Sequence, residues 1–471
     1  MGPFFFVPPG AGTRMLNHVS LDWQGILTIV VFASVILLIA FDALNLTLAA
    51  ILGAAALRAS GVTTVSQGVG YVAEAHATIA LFFGGMVIVR AFAPTGIFEW
   101  LGVQVYRLSK GSGKRLLLGI VAVTCPICAF LPNATTVILL APVMIKIAEY
   151  FETDFAPLLI LLVFLANSAG LLTLVGDPAT FVVGDAINIG FVGFLKALTP
   201  GAVLAILVVV MLMPFLFRSI WQIERKQGPA LELPSIRAPL VVIAGGVIVA
   251  LEVIFFVIGE QLIAPPLYPA GVALLGSALA LAVVHQSRLD SVEAILRDVD
   301  WATLIFFMCV FVMVGAMRDH GVMAYAAQAM TVLFGRNLAF ASIALLFAVG
   351  ALSSVVPNIP LVVAMVPLAK RYVVGVGLAD ASILSAGYKG QFPAAVLPLF
   401  FALMFGATLG GNATMVGASS NLIAVGISAQ NGRRIRFGEF ARYGLKVTAL
   451  QLVVSAAYIA LRFLLPARIY R

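Results

Sequence analysis

The sequence predicts an all-α polytopic membrane protein built as two inverted repeats, each with five crossings and one re-entrant hairpin. Three observations carry that expectation. Of 471 residues, 62% are hydrophobic and only 10% charged, against about 25% charged in a soluble domain. Mean hydropathy is +1.11, and apolar stretches approaching the roughly 20 residues that span a hydrocarbon core recur from end to end. Segments of the first half also return in the second at a fixed spacing.

In order, residues 1–22 form an N-terminal extension. Its residues 1–14 lack the basic region and small-residue cleavage site of a secretory signal, and Met15 offers an alternative start. The first repeat, 23–217, contains helical segments at 23–40, 46–57 and 77–93. A basic loop with Arg107, Lys110, Lys114 and Arg115 follows. Next come 116–150, interrupted at Leu131-Pro132-Asn133; 157–189, interrupted at Gly176-Asp177-Pro178; and 200–217. A polar linker, 218–237, separates the repeats. The second repeat, 238–471, resumes with helices at 239–258, 267–284 and 301–317. It continues with 338–369, interrupted at Pro357-Asn358, then 392–427, interrupted around 410–421, and finally 443–465.

The repeat is legible residue by residue. Ala77-Thr78-Ile79 matches Ala302-Thr303-Leu304, Gly96 matches Gly321, Pro132-Asn133 matches Pro357-Asn358, and Pro142 matches Pro367, all at an offset of 225. Gly170, Thr173 and Gly176 match Gly411, Thr414 and Gly417 at 241, which places 16 extra residues near 381–392. Paired breaks at corresponding positions point to a transporter with its binding site at the repeat interface.

An unsatisfied backbone group in hydrocarbon costs several kcal/mol, so a helix breaks there only where protein or water re-satisfies it. The arms beside Asn133 are roughly 16 residues, or about 24 Å, too short for a comfortable crossing. Segments 116–150 and 338–369 therefore read as re-entrant hairpins tipped by Pro132-Asn133-Ala134-Thr135-Thr136 and by Pro357-Asn358. Half-helix N-termini attract anions, while C-terminal ends and unwound carbonyls suit cations. Small polar side chains at the breaks add donors and acceptors. One break alone would read as a Pro/Gly kink with Ser and Thr bonding their own helix. Four at repeat-related positions point instead to a site. With the hairpins re-entrant, the basic loop 107–115, the linker, the Arg288/Arg297 loop and Arg433-Arg434-Arg436 all fall in the cytoplasm, as the positive-inside rule requires. The odd number of crossings per half then inverts the repeat.

The stretches PNATTVILLAPV (132–143), LVGDPATFVVGDA (174–186), GGNATMVGASSNLIAVGI (410–427) and FGEFARYGL (437–445) resemble the ion transporter superfamily. That group includes arsenical pump membrane proteins, D-type sodium/proton antiporters, the melanosomal P protein, citrate transporters and divalent anion/sodium symporters. The dicarboxylate branch usually reads Ser-Asn-Thr at its hairpin tips. Here Pro132 and Pro357 replace the Ser and Ile359-Pro360 follows the second Asn, a departure that weakens the transfer of dicarboxylate specificity and leaves the arsenite, citrate and dicarboxylate class as the expectation. The resemblance implies a homodimer, each protomer a scaffold plus a mobile transport domain with elevator-like motion. It places Asn133, Gly176, Asp177, Asn358 and Gly417 near coupling ions, and Thr135, Thr180, Ser419, Ser420 and Asn421 near the substrate. Together with the polar residues at the breaks, the candidate substrate set is Asn133, Thr135, Thr136, Thr180, Asn358, Ser419, Ser420 and Asn421. The candidate coupling-ion set is Asn133, Thr173, Gly176, Asp177, Asn358, Asn412, Thr414 and Gly417.

Asp177 is the carboxylate most expected to matter, since an intramembrane charge marks an ion or proton pathway by default. An Asp before Pro178 also suits a helix cap. Glu252, within an apolar helix, has no evident sequence partner and reads as a structural or interface group, with a proton site the alternative. Arg90 sits where it can snorkel to the headgroups. Cys125 and Cys128 form a C-x-x-C that reads as packing, with a soft-metal site the alternative. The net charge of +8 is scattered over short loops, which argues against a nucleic-acid partner. No H-E-x-x-H, G-x-S-x-G or P-loop occurs, so neither an enzyme nor an ATPase is expected in this chain.

The expected function is therefore secondary transport of a small inorganic or carboxylate anion in a bacterial inner membrane, with sodium or protons as the coupling ion and no cofactor. A separate ATPase subunit is the other conceivable source of energy. A sodium/proton antiporter without organic substrate is the nearest alternative, and a channel the rival from another class.

Overall fold

The computed structural model describes residues 21–41, 43–224, 236–385, 387–388 and 390–465. The N-terminal residues 1–20, with Met15, and most of the polar linker lie outside the described residues. Everything regular among the described residues is helical; the one β-bridge, Ser112 with Glu224, is isolated. The first half comprises α1 (Trp23–Ala40), α2 (Leu46–Ala59), α3 (Val65–Glu74), α4 (His76–Phe92), α5 (Ile97–Ser109) and α6 (Gly113–Cys128). It continues with α7 (Asn133–Tyr150), α8 (Ala156–Ala169), α9 (Pro178–Ala186), α10 (Phe191–Ala197), α11 (Thr199–Leu216) and α12 (Arg218–Trp221). The second begins with α13 (Pro239–Leu262), α14 (Pro269–Ser287), α15 (Val292–Arg297), α16 (Trp301–Asp319) and α17 (Val322–Phe334). It ends with α18 (Leu338–Ser353), α19 (Asn358–Gly375), α20 (Leu397–Gly410), α21 (Ser419–Gln430) and α22 (Phe437–Ile459).

Nine described helices are long and apolar enough to cross a membrane, or up to eleven if each sharply bent pair counts as one span. This is a multi-pass integral membrane protein. Exposed Leu240, Ile243, Val247, Leu251 and Ile254 line one face of α13 as an apolar stripe. By contrast, α8 and α20 are apolar all round and buried at all but one position each, as central helices must be.

The sequence offsets reappear in the helix boundaries. From α5 to α17, α6 to α18 and α7 to α19, both ends shift by 225; from α8 to α20, both ends shift by 241. The insertion thus lies between α19 and α20, around a short 3₁₀ turn at Ala381–Leu384. Gly96 and Gly321, each opening the helix that follows, adopt left-handed φ of 78° and 76°. A side chain there would be strained. The halves interlock, with α2 packed on α16 and α4 on α14. These contacts are themselves related by the repeat.

Several elements differ from the expectation. The basic loop is mostly helix, since α5 runs through Arg107 and α6 already includes Lys114 and Arg115. Helices α3, α5 and α17, of 10, 13 and 13 residues, were invisible to a search for membrane-length apolar runs. Local chemistry supports α3 nonetheless, for Thr64 and Gln67 form a capping box at its start. The break placed at Gly176-Asp177-Pro178 widens to 170–177 because α8 already stops at Ala169. Arg90, in the last turn of α4, binds Asp298 (2.7 Å) and Asp290 (3.1 Å) beside α15. The Arg90 guanidinium holds the Asp298 carboxyl below its usual range.

Close α4–α14 packing depends on Gly84, where a Cβ would lie 2.6 Å from the Ala273 carbonyl oxygen. Gly84→Ala is expected to destabilise the fold by about 1–3 kcal/mol through overpacking. A lowered thermal midpoint in detergent would show it, and an unchanged midpoint would contradict this packing.

Candidate functional site

The first hairpin, α6–α7, and the second, α18–α19, present their tips to the same carboxylate. Both tips turn through a proline, Pro132 and Pro357, with ψ of 136° and 138°, so that Asn133 and Asn358 open the following helices. Asn133 Nδ2 donates to Asp177 Oδ1 at 3.0 Å, and Asn358 Nδ2 donates to the same oxygen at 3.4 Å. On the other oxygen, Oδ2, Asp177 accepts from the Thr180 N–H (3.1 Å), Thr180 Oγ1 (3.2 Å) and Thr408 Oγ1 (3.2 Å). Asp177 is 1% exposed and all five of these donors are neutral. It is at once the N-cap of α9 and the junction of both hairpins, so the cap and site readings of the sequence coincide.

A second polar centre lies on the other half's broken helix. Asn167 Nδ2 donates to Asn412 Oδ1 (2.9 Å) and Asn421 Oδ1 (3.0 Å), and Ser420 Oγ donates to Asn167 Oδ1 (2.7 Å). Asn421 Nδ2 donates to the carbonyls of Gly411 (2.8 Å) and Thr414 (2.9 Å), tying the unwound segment together. Asn412 Nδ2 reaches Gln451 Oε1 (3.0 Å), and Gln451 Nε2 reaches Ser168 Oγ (2.8 Å). The two centres correspond: the offset of 241 carries Thr180 to Asn421 and Asn167 to Thr408, while Asp177 maps onto Ala418. One centre thus has a charge where the other has none.

Backbone groups complete the site. A narrow cleft is lined by Asn133 and Ala134 of α7, Pro178 of α9, Asn358 and Ile359 of α19, and Ser419 and Ser420 of α21. Four helix N-termini therefore converge on one space, with Asp177 in its wall and Phe82, Met86, Thr303 and Phe307 closing it. No side chain caps α7, α19 or α21. Their free N–H groups and positive dipole ends suit an anion. The opposite helix ends gather carbonyls. A Cβ on Gly176 would lie 2.8, 2.9 and 3.0 Å from the carbonyl oxygens of Cys128, Gly170 and Ala129. On Gly417 it would meet those of Gly411 (2.6 Å) and Ser353 (2.7 Å). Asn133 Oδ1, beside Gly170, is buried and without a hydrogen-bond partner. Such oxygen clusters suit a hard cation. Thr173 Oγ1 and Thr414 Oγ1 donate to the carbonyls of Ala129 and Ser354, bracing each cluster in the same way.

Of the sequence candidates, Asn133, Asp177, Asn358, Ser419 and Ser420 meet at the cleft and Thr180 lies directly behind Asp177. Thr173, Gly176, Thr414 and Gly417 hold the carbonyl clusters, and Asn412 and Asn421 build the second centre. Two are elsewhere. Thr135 is outside the cleft lining, and Thr136 turns into the hairpin beside the Cys128 thiol. The α7 period accounts for Thr135, two residues from Asn133 and so on the opposite face of the helix. Cys125 and Cys128 are buried free thiols, and no group of three or more His, Cys, Asp or Glu suited to a metal occurs among the described residues. Sequence reasoning missed Asn167, Thr408 and Gln451. A lone Asn in the otherwise apolar LLILLVFLANSA of α8 was the available signal.

Asn167→Ala strips one acceptor and two donor contacts from buried polar groups, each costing about 1–3 kcal/mol when left unpaired. Expected results are a lower thermal midpoint in detergent and transport reduced about tenfold. Unchanged values for both would remove Asn167 from the site.

Broken helices in two related halves, meeting around one buried polar cleft, are the architecture of a membrane transporter. The comparisons agree and narrow it. The chain belongs to the citrate transporter family, whose model matches residues 36–388. It is 58% identical over 430 residues to an uncharacterized transporter of Synechocystis sp., covering 91% of this chain and 96% of that protein. The human P protein is 28% identical over 522 residues, covering 93% of this chain and 60% of the P protein. Among solved structures, the YdaH transporter of Alcanivorax borkumensis superposes with a TM-score of 0.57 at 11% identity. It covers 93% of this chain and 98% of that one, a likeness of fold.

Proposed function

We propose that the protein is a secondary active transporter moving a small inorganic or carboxylate anion in step with sodium ions or protons. The convergence of four helix N-termini on one cleft carries this reading, since three of them, those of α7, α19 and α21, present positive dipole ends that no side chain caps. Asp177 supplies the coupling. An anion beside an ionised carboxylate is repelled, so loading requires a cation at the carbonyl clusters or a proton on Asp177 first. Binding order then links the two fluxes without any catalytic step. The reading includes inverted repeats, with the pieces around the two hairpins moving together against α1–α4 and α13–α16 in an elevator-like motion. It further includes a homodimer.

A second reading has an observation of its own. No Lys or Arg lines the cleft, and its one charged residue is Asp177. A sodium/proton antiporter needs no more than that. Proteoliposomes with imposed sodium or proton gradients separate the two, with citrate, succinate, arsenite and phosphate screened beside an internal pH dye. Gradient-driven uptake of one anion supports the leading reading. A sodium-dependent pH change without any anion supports the antiporter, and no flux in any arm overturns both.

A further inference from the structure

Glu252 is the fourteenth residue of the 24-residue α13, about 20 Å along a helix about 36 Å long. It therefore sits deep in the hydrocarbon region. Its carboxyl packs onto α14 at Gly276, where any Cβ would collide with Oε1, Cδ and Cγ of Glu252, so the glycine is the notch that admits the acid. Oε1 is buried and has no hydrogen-bond partner. The side chain also lines a cavity whose far wall is Phe130, Leu131 and Pro132, the back of the first hairpin tip. The next residue, Asn133, holds Asp177.

No counter-charge faces this carboxyl. Glu260 lies two turns further along α13, and Arg237 precedes its start. Among titratable side chains, α14 carries only His285, α4 only His76 and Arg90, and α10 only Lys196. None of these lines the cavity, whose other residues are all apolar or glycine. Cys128 lies inside the hairpin, and Asp177 lies beyond Asn133. An ionised carboxylate here has nothing to pair with, whereas a carboxylic acid requires no partner charge.

We infer that Glu252 is a reversible proton-binding site in the membrane interior, opening on the rear of the first hairpin tip. It is distinct from Asp177 and deepens the proposed coupling, resting on that reading only for its consequence in transport. Movement of the tip would alter the cavity and with it the exposure of the acid. A proton can therefore be taken up in one position and released in another.

Infrared difference spectroscopy on the full-length protein in liposomes tests the site without any transported ion. In a titration from about pH 5 to pH 9, the wild type should lose a protonated-carboxyl carbonyl band that E252Q lacks throughout. E252D, which keeps the acid on a shorter stem, should shift that band rather than remove it, covering the case in which E252Q fails to fold. G276A should displace the midpoint of the titration by crowding the carboxyl. Identical wild-type and E252Q difference spectra, or a band that stays constant across the whole range, would overturn the proposal. A wild-type preparation that shows the titrating band but moves no ion in any gradient overturns the transport reading and leaves the proton site standing.

Discussion

Asp177→Asn is expected to reduce gradient-driven flux by about 100-fold or more while the protein still folds. The carboxylate is acceptor-only and takes five hydrogen bonds, two from the hairpin tips on Oδ1 and three from Thr180 and Thr408 on Oδ2. An amide has one acceptor oxygen. Its NH2 must face either the two Asn donors or the Thr side, where the hydroxyls can turn to accept but the Thr180 N–H is left opposed to a donor. Each hydrogen bond to a charged group contributes about 1.5–3 kcal/mol. Losing the tip side separates the hairpins, and losing the Thr side uncaps α9. Neither unfolds a protein whose core helices α8 and α20 remain buried. On the proposed reading, removing the charge also removes the electrostatic gate that would make anion loading depend on a cation. The measurements are counterflow and net uptake in the same liposomes. Loss of both places the carboxylate in coupling; loss of transport for only one of several anions places it in recognition. Wild-type rates in both would reduce Asp177 to a helix cap.

How much of this was legible beforehand depended on the kind of signal. Crossing helices announce themselves by length and apolarity, and the repeat by paired Pro-Asn and Gly-x-x-Thr segments, so the four breaks at those segments were readable. The short helices were not. At 13 residues, α5 carries Glu99 and Arg107 and has no membrane-length apolar run, and nothing in a hydropathy window separates it from a loop. In the site, Asp177 and the two tip asparagines stood out because charge and proline are costly in hydrocarbon. Asn167, Thr408 and Gln451 were hidden for another reason: their partners lie more than 200 residues away on the other half, except where Gln451 serves Asn412. Offset arithmetic relates positions within the repeat, but it does not reveal which related positions face each other. That the pairs Thr180–Thr408 and Asn421–Asn167 are images of one another needed the packing.

Gly176→Ala and Gly417→Ala are expected to weaken cation dependence to unequal degrees, and the order discriminates packing from ion binding. On sterics alone Gly417 is the tighter position. Its added Cβ would lie 2.6 and 2.7 Å from the carbonyls of Gly411 and Ser353, against 2.8 to 3.0 Å for the three carbonyls around Gly176. Backbone must shift in either case, because no flexible side chain is among the nearest contacts. If the glycines serve close packing only, Gly417→Ala should be the more damaging. Electrostatics ranks them the other way. The first-half cluster adds the unpartnered Asn133 Oδ1 and lies next to the Asp177 carboxylate, whereas the matching position in the second half is Ala418. A hard cation gains most where charged and uncharged oxygens combine, so displacing the first cluster sacrifices more binding. Gly176→Ala is therefore expected to raise the cation concentration for half-maximal uptake by about tenfold or more, with a smaller rise for Gly417→Ala. Titrating uptake against external sodium and against pH, with thermal midpoints for both variants, decides it. A greater effect at Gly417 on both midpoint and cation dependence would show the glycines to be packing devices and remove the cation from these carbonyls.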